Sequence, residues 1–257
     1  MTDSAVTSTA PTPYLDLVAA TRAARTYKHE LLKDLCIGPG DHVLDLGCGP
    51  ATDLAALAEE VGRTGRVIGI DQDPAMVATA RARIAVYPNV EVRQADAHHV
   101  PLDATTMDRA RADRVLMHVA DPPAVLAELH RVLRPGGLLT LAEPDWDTLA
   151  IDHPDLDLSR AFTSYIAQRA NRNQAIGRQL PRLAAQAEFT VRTVRNAAAA
   201  LTDFDVAETI LGLRRNTARA VAAGYLTPAG GRAWLDHLHG ADTFFATVSL
   251  ITVLAAA

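Results

Sequence analysis

Two runs that end in glycine or carboxylate carry most of the chemistry in this sequence. Val43-Leu44-Asp45-Leu46 leads into Gly47-Cys48-Gly49-Pro50, and Val67-Ile68-Gly69-Ile70 ends on Asp71. A strand, a glycine turn, a helix and a second strand, in that order, describe a nucleotide-type ligand lying across the carboxyl ends of parallel strands. Glycine lets the backbone approach such a ligand closely, and a carboxylate at the tip of the second strand can accept both hydroxyls of a ribose.

The residue types narrow the ligand. The dinucleotide fingerprint asks for a third glycine, where this chain has Thr52, and Asp45 precedes the first glycine. A carboxylate there repels a pyrophosphate and attracts the ammonium of a methionine-like group. No Gly-Lys-Ser/Thr follows the glycines, so a phosphate loop is excluded.

The elements that position these groups follow from periodicity. Residues 14–35 have helical spacing (Leu15, Val18, Leu31, Leu32, Leu35), and 42–46 reads as the first strand. Thr52 or Asp53 caps a helix whose apolar face is Leu54, Leu57, Ala58 and Val61. Strands follow at 66–70 and 90–94, with a helix opening at Pro74 between them. Residues 109–116 are expected as a strand with inward alanines and outward arginines. A helix at 122–133 and a strand at 138–142 complete the alternation, which gives a parallel sheet. Beyond Glu143 the rhythm changes. An acidic, proline-containing stretch at 144–158 and a helix at 159–173 are expected as a cap. Helices at 177–187, 206–223 and 229–239 and strands at 190–194 and 244–254 follow.

Composition sets limits. The formal net charge of -5 argues against a nucleic-acid partner, and Arg192, Arg195, Arg214, Arg215 and Arg219 read as solvated charges. Cys36 and Cys48 are the only cysteines, which excludes a disulfide framework or a cysteine-rich metal site. The first 13 residues read as a disordered tail without signal-peptide features, and the apolar 244–257 is too short to cross a bilayer. A cytoplasmic protein with no membrane partner is expected.

With these segments in place, the chain resembles the class I S-adenosylmethionine-dependent methyltransferases, in particular the small-molecule group related to the ubiquinone/menaquinone methyltransferases. The resemblance covers 27–147. It rests on 43–50, on Asp71-Gln72-Asp73-Pro74-Ala75-Met76 and on Ala95-Asp96-Ala97. Leu116-Met117-His118-Val119-Ala120-Asp121-Pro122 and Arg131-Val132-Leu133-Arg134-Pro135-Gly136-Gly137 complete it. It implies an α/β, Rossmann-like, seven-stranded mixed sheet with the last strand antiparallel, helices on both faces and a helical cap. One domain over 14–257 is expected, with N-terminal helices at 14–35 and the cap inserted at about 144–176.

The implied cofactor is S-adenosyl-L-methionine. Gly47, Cys48 and Gly49 would contact its methionine end and Asp45 its amino group. Asp71 would take the ribose hydroxyls, Asp96 with Ala97 the adenine, and Gln72 and Met76 would flank the nucleoside. Ordinary helix packing explains Met76 equally well. Arg114 would pair with the cofactor carboxylate, or else with Asp113 or Asp145. His118 lies just past the fourth strand and is the candidate general base, against a loop-holding role. Relatives carry Leu-His-His-Val where this chain has Leu-Met-His-Val.

Trp146, Asn171 and Arg172, with Asn173 and Arg178, are candidate substrate contacts. No metal site is expected: His98 and His99 lack partner spacing, and the acidic run from Glu143 to Asp157 with His153 reads as solvated and helix-capping. The expected activity is O- or C-methylation of an aromatic or polyketide-like secondary metabolite, and the expected partner is that small molecule; a homodimer is compatible with it. The alternative keeps the cofactor pocket for a cyclisation or rearrangement, or for binding alone.

Overall fold

The computed structural model describes residues 12–170 and 172–257. The strands are β1 (His42–Leu46), β2 (Arg66–Asp71), β3 (Val90–Gln94), β4 (Met107–Asp113), β5 (Leu133–Ile151), β6 (Thr190–Leu201) and β7 (Ala246–Ala256). They form one sheet in the order β3-β2-β1-β4-β5-β7-β6. Neighbours from β3 to β5 are parallel, whereas β7 runs antiparallel to both β5 and β6. The expected mixed sheet with an antiparallel last strand is what forms.

Strand alternation sorts side chains between two faces. Leu44, Leu46, Ile68 and Ile70 enter a core closed by α5 (Pro122–Val132) and α7 (Ile176–Gln186). Val43, Val67 and Val92 enter a second core, under α3 (Leu54–Val61) and α4 (Pro74–Arg83). Asp73 caps α4 through the N–H of Ala75 at 2.8 Å, with Pro74 in the first turn. At the N-terminal end, α1 (Thr12–Ala20) and α2 (Arg22–Leu35) precede the sheet. Residues 1–11 of the expected tail lie outside the described residues, and its last two positions open α1.

A third core lies over the far part of β5. It joins Leu149 and Ile151 to Phe162 and Tyr165 of α6 (Leu156–Tyr165), and to α8 (Phe204–Leu211), α9 (Leu213–Ala222) and α10 (Pro228–Gly240). Trp234 is fully buried there, 5.1 Å from Phe162 ring to ring. The helices packed on the far part of β5 thus come from two stretches, only the first of which falls within 144–176.

Several boundaries differ from expectation, for physical reasons. β5 does not stop at Ala142 but runs on through Pro144 to Ile151. Its pairing with β4 ends at Ala142, so Pro144 lies where one side of the strand has lost its partner. β4 ends at Asp113 rather than 116, because Arg114 turns left-handed (φ 58°). Helix 159–173 is instead α6, capped by Asp155, followed by a π-turn at Ile166–Ala170. The single helix expected at 206–223 breaks at Gly212 (φ 58°) into α8 and α9. β6 extends through its alanines to Leu201, each paired to β7.

Candidate functional site

The loop after β1 is built around two left-handed glycines, Gly47 (φ 71°) and Gly49 (φ 52°). The N–H groups of Gly47 and Cys48 both donate to the Ile70 carbonyl, at 2.7 and 3.0 Å, which folds the loop onto the tip of β2. A Cβ on Gly47 would stand 2.3 Å from Val115 Cγ2, whereas one on Gly49 would meet only Leu15 Cδ1, at 3.7 Å. The first glycine is therefore required by the protein, and the second leaves the backbone bare. Cys48 is 5 % exposed, packed against Gly69, and burial pushes its thiol pKa up.

Asp71 ends β2 beside this loop. Its Oδ2 accepts the N–H of Gly49 and its Oδ1 that of Asp73, both at 2.9 Å. Partial burial raises its pKa, against those backbone hydrogen bonds. Each oxygen keeps a lone pair for a further donor. Gln72 beside it is exposed, and Met76 is buried in α4. α1 lies across the glycine loop, with Leu15 over Gly49 and Asp16 paired to Arg83 of α4 at 2.7 Å.

Beneath the loop is a charged cluster that the sequence did not announce. Arg111 was expected to point outward, yet it is 2 % exposed. It lies on the face of the sheet that α3 covers, and β4 is paired beside β1 so that Arg111 stands opposite Asp45. Its guanidinium reaches Asp45 at 3.5 Å, Asp53 at 3.0 Å and Asp113 at 3.3 Å. Lys28 of α2 reaches Asp53 at 2.6 Å and Asp113 at 3.6 Å, and the Tyr27 hydroxyl donates to Asp113 at 3.1 Å.

Asp53 therefore stands at the helix-cap position of α3 without capping it, its carboxylate being committed to the two cations. Burial opposes the charge of Asp53, but Arg111 and Lys28 hold its pKa down at about 2. Burial raises Asp45 to about 6, against the pull of Arg111. Asp45 lies within this cluster, 4 % exposed, rather than open on the loop surface.

The loop after β4 hangs on Glu143 of β5. Glu143 is fully buried, and its Oε1 accepts the N–H groups of Val115 at 2.8 Å and Leu116 at 2.5 Å. Its Oε2 is buried with no hydrogen-bond partner among the described residues. Burial raises this carboxyl to about 8 despite the donated N–H groups. On the far side, Asn173 Nδ2 donates to the carbonyls of Leu116 at 2.7 Å and Val119 at 2.9 Å. His118 is thus held at the exposed crest of a loop anchored from both flanks. The protein around its ring, and then the Arg114 charge, lower its pKa. Arg114 itself contacts Asp113 at 3.3 Å.

The remaining expected residues are more scattered. The Asp96 carboxylate is turned to His98, accepting its backbone N–H at 2.9 Å and meeting Nδ1 at 2.6 Å. His98 Nε2 in turn accepts the N–H of Asp121 at 3.1 Å, which places the ring proton on Nδ1. Ala97 packs against the core under β4. Trp146 bridges the cores on either side of β5, and its Nε1–H is buried with no partner among the described residues. Arg172 is exposed, Asn171 lies outside the described residues, and Arg178 pairs with Asp145 and Asp147. Among the described residues no three His, Cys, Asp or Glu side chains gather to hold a metal ion.

A family model described as a methyltransferase domain matches residues 37–200. The chain belongs to the S-adenosylmethionine-dependent methyltransferases. It is 53 % identical over 244 residues to an uncharacterized 37.1 kDa protein in transposon TN4556 of Streptomyces fradiae, covering 95 % of this chain and 70 % of that one. It is 33 % identical over 117 residues to the demethylmenaquinone methyltransferase of Lysinibacillus sphaericus, covering 46 % of this chain and 50 % of that one. This methyltransferase thus matches about half the length of the latter relative. In fold it is similar to a putative methyltransferase from Bacillus halodurans, with a TM-score of 0.66 at 17 % identity over 89 % of this chain and 97 % of that one.

The donor set fits the cofactor of this family. Asp71 has carboxylate capacity to spare for a diol, and Gly49 lacks the Cβ that would stand in front of the loop. No helix of this methyltransferase, among the described residues, is long and apolar enough to cross a membrane.

Proposed function

We propose that this methyltransferase transfers the methyl group of S-adenosylmethionine to oxygen or carbon of a small aromatic or polyketide-like metabolite in the cytoplasm. The observation that carries the reading is the Asp71 carboxylate, fixed by the N–H groups of Gly49 and Asp73 beside the glycine loop. Asp71 would hold the ribose hydroxyls, the Gly47–Gly49 backbone the methionine end, and the segment carrying Asp96 and Ala97 the adenine. Gln72 and Met76 would flank the nucleoside.

When bound, the sulfonium supplies an electrophilic methyl carbon. The protein's share is alignment and exclusion of water, and positioning of this kind contributes on the order of 7–11 kcal/mol. His118, with its lowered pKa, is neutral at pH 7 and takes the proton of an acceptor hydroxyl at Nδ1 or Nε2. Such a base contributes roughly 10²–10⁴-fold in rate. Glu143 and Asn173 act through the loop, holding His118 at its crest. The helices above β5 and Trp146 support a bounded acceptor space, suited to a small molecule. The demethylmenaquinone methyltransferases are named for a quinone acceptor, which is consistent with an aromatic one here.

Calorimetry with S-adenosylmethionine and S-adenosylhomocysteine tests the cofactor site, and saturable heat from both is expected. Incubation with methyl-labelled cofactor and a panel of hydroxylated aromatic metabolites should then yield S-adenosylhomocysteine and a labelled product. Absence of heat from either compound overturns the reading. Tight binding without any methyl transfer would favour the cyclisation or binding-module alternative.

A further inference from the structure

The third core carries an open hollow of about 500 Å³ lined by Tyr165, Arg169, Arg219, Ala222 and Ala223. Arg169 sits in the π-turn that follows α6, and Arg219 in the last turn of α9. Most arginines around the sheet are paired to carboxylates, as Arg66, Arg83, Arg93, Arg111, Arg134 and Arg195 show. The guanidiniums of Arg169 and Arg219 have no ion pair or hydrogen bond among the described residues, and no acidic side chain lines the hollow.

Tyr165 also lines the hollow, and its hydroxyl has no hydrogen-bond partner among the described residues. Three carbonyls in the last turn of α9 are satisfied within the chain. Arg219 O accepts from Ala223, Ala220 O from Tyr225, and Val221 O from Gly224. Two unpaired guanidiniums and a hydroxyl donor lining one concavity suit an anion with several acceptor oxygens. A π-turn at this point is a costly irregularity of the kind that recurs at functional sites.

The hollow is close to the proposed chemistry along the chain. Arg169 lies four residues before Asn173, whose side chain holds the carbonyls on either side of His118. Four residues span at most roughly 14 Å.

We propose that Arg169, Arg219 and Tyr165 form an anchoring subsite for a carboxylate or phosphate group carried by the methyl acceptor. This rests on the methyltransferase reading for what the anion is attached to, but the subsite can be tested apart from it. The acceptor class is thereby narrowed to organic acids or phosphate esters.

The test uses benzoate and phenyl phosphate as calorimetric probes on the full chain, at low and at raised salt. The variants are Arg169→Gln/Arg219→Gln and Tyr165→Phe. At least one probe should bind the wild type saturably, and the tighter one tells carboxylate from phosphate. The double variant should bind it at least tenfold more weakly and Tyr165→Phe about threefold more weakly, with S-adenosylmethionine affinity unchanged in both. Raised salt should weaken the wild type and not the double variant. No saturable heat from either probe, or equal affinity in wild type and double variant, overturns the subsite. If the double variant does not fold, each exposed arginine is replaced singly and judged by the same criterion. Loss of S-adenosylmethionine binding in the wild type would instead sink the methyltransferase reading, leaving the probe result legible.

Discussion

The Oε1 atom of Glu143 accepts the backbone N–H of Leu116 at 2.5 Å, tying the middle of β5 to the loop that carries His118. The contact is fully buried, and burial raises the carboxyl from 4.5 to about 8. A raised folded-state pKa means that the folded protein holds the proton more tightly than the unfolded chain. Its stabilising contribution is complete below about pH 4.5 and is lost as pH rises through about 8. Glu143→Gln keeps an acceptor for both N–H groups and removes the titration. Thermal melts at pH 5 and pH 8.5 should show the wild type losing on the order of 2–4 kcal/mol more than Glu143→Gln. Parallel pH profiles for the two proteins would refute this.

Gly47 and Gly49 should respond differently to alanine. Gly47→Ala forces a Cβ to within 2.3 Å of Val115 Cγ2 in a left-handed conformation, and should lower stability by about 2–4 kcal/mol. Gly49→Ala meets no such contact and should cost only about 1–2 kcal/mol. Its main effect should be a rise of at least tenfold in the dissociation constant for S-adenosylmethionine. Denaturant melts and calorimetry separate the two effects.

Asp71→Ala removes the proposed ribose acceptor and should weaken cofactor binding by roughly 1.5–3 kcal/mol, the scale of charge-assisted hydrogen bonds. Unchanged affinity for S-adenosylhomocysteine would take Asp71 out of the site.

Arg111→Leu leaves Asp45, Asp53 and Asp113 with fewer countercharges in a buried cluster. A loss of about 3–5 kcal/mol is expected, because breaking one partner of a buried ion pair exposes the others to uncompensated desolvation. A urea melt that stayed within 1 kcal/mol of wild type would show that the cluster relaxes (~1 kcal/mol being the scale of an exposed pair).

His118→Ala should lower kcat much more than it lowers cofactor affinity if the imidazole is the base. Because the His118 pKa is lowered, the wild-type kcat/KM for a hydroxyl acceptor should rise with pH through a midpoint below 6.5. A variant whose pH profile keeps the same rise would return His118 to a structural role.

The parts of the fold legible in the sequence are those set by local pattern. β1 and β3 fall at the expected residues, and Pro74, Asp73 and the apolar face of α3 behave as their types dictate. What was not legible depends on register. Arg111 looked outward because alternation tells one face from the other, but not whether the second face is also covered. Its partnership with Asp45 exists only once β4 is laid beside β1. Glu143 looked like one acid among several for a similar reason: nothing local reveals that β5 passes behind the loop from 115 to 118. Pro144 suggested a loop, and only the end of the β4 pairing explains a strand continuing through it. Glycine at 212 was the signal for two helices that the run 206–223 concealed.

Leu15 rests over Gly49, and α1 is fastened to α4 through the Asp16–Arg83 pair. With the nucleoside placed at Asp71 as proposed, its exit would lie behind a tether made of partly hydrated charges rather than of close-packed hydrocarbon. Spent cofactor should therefore depart faster as ionic strength rises, with chemistry on the acceptor unaffected, and Arg83→Ala should make that departure insensitive to salt.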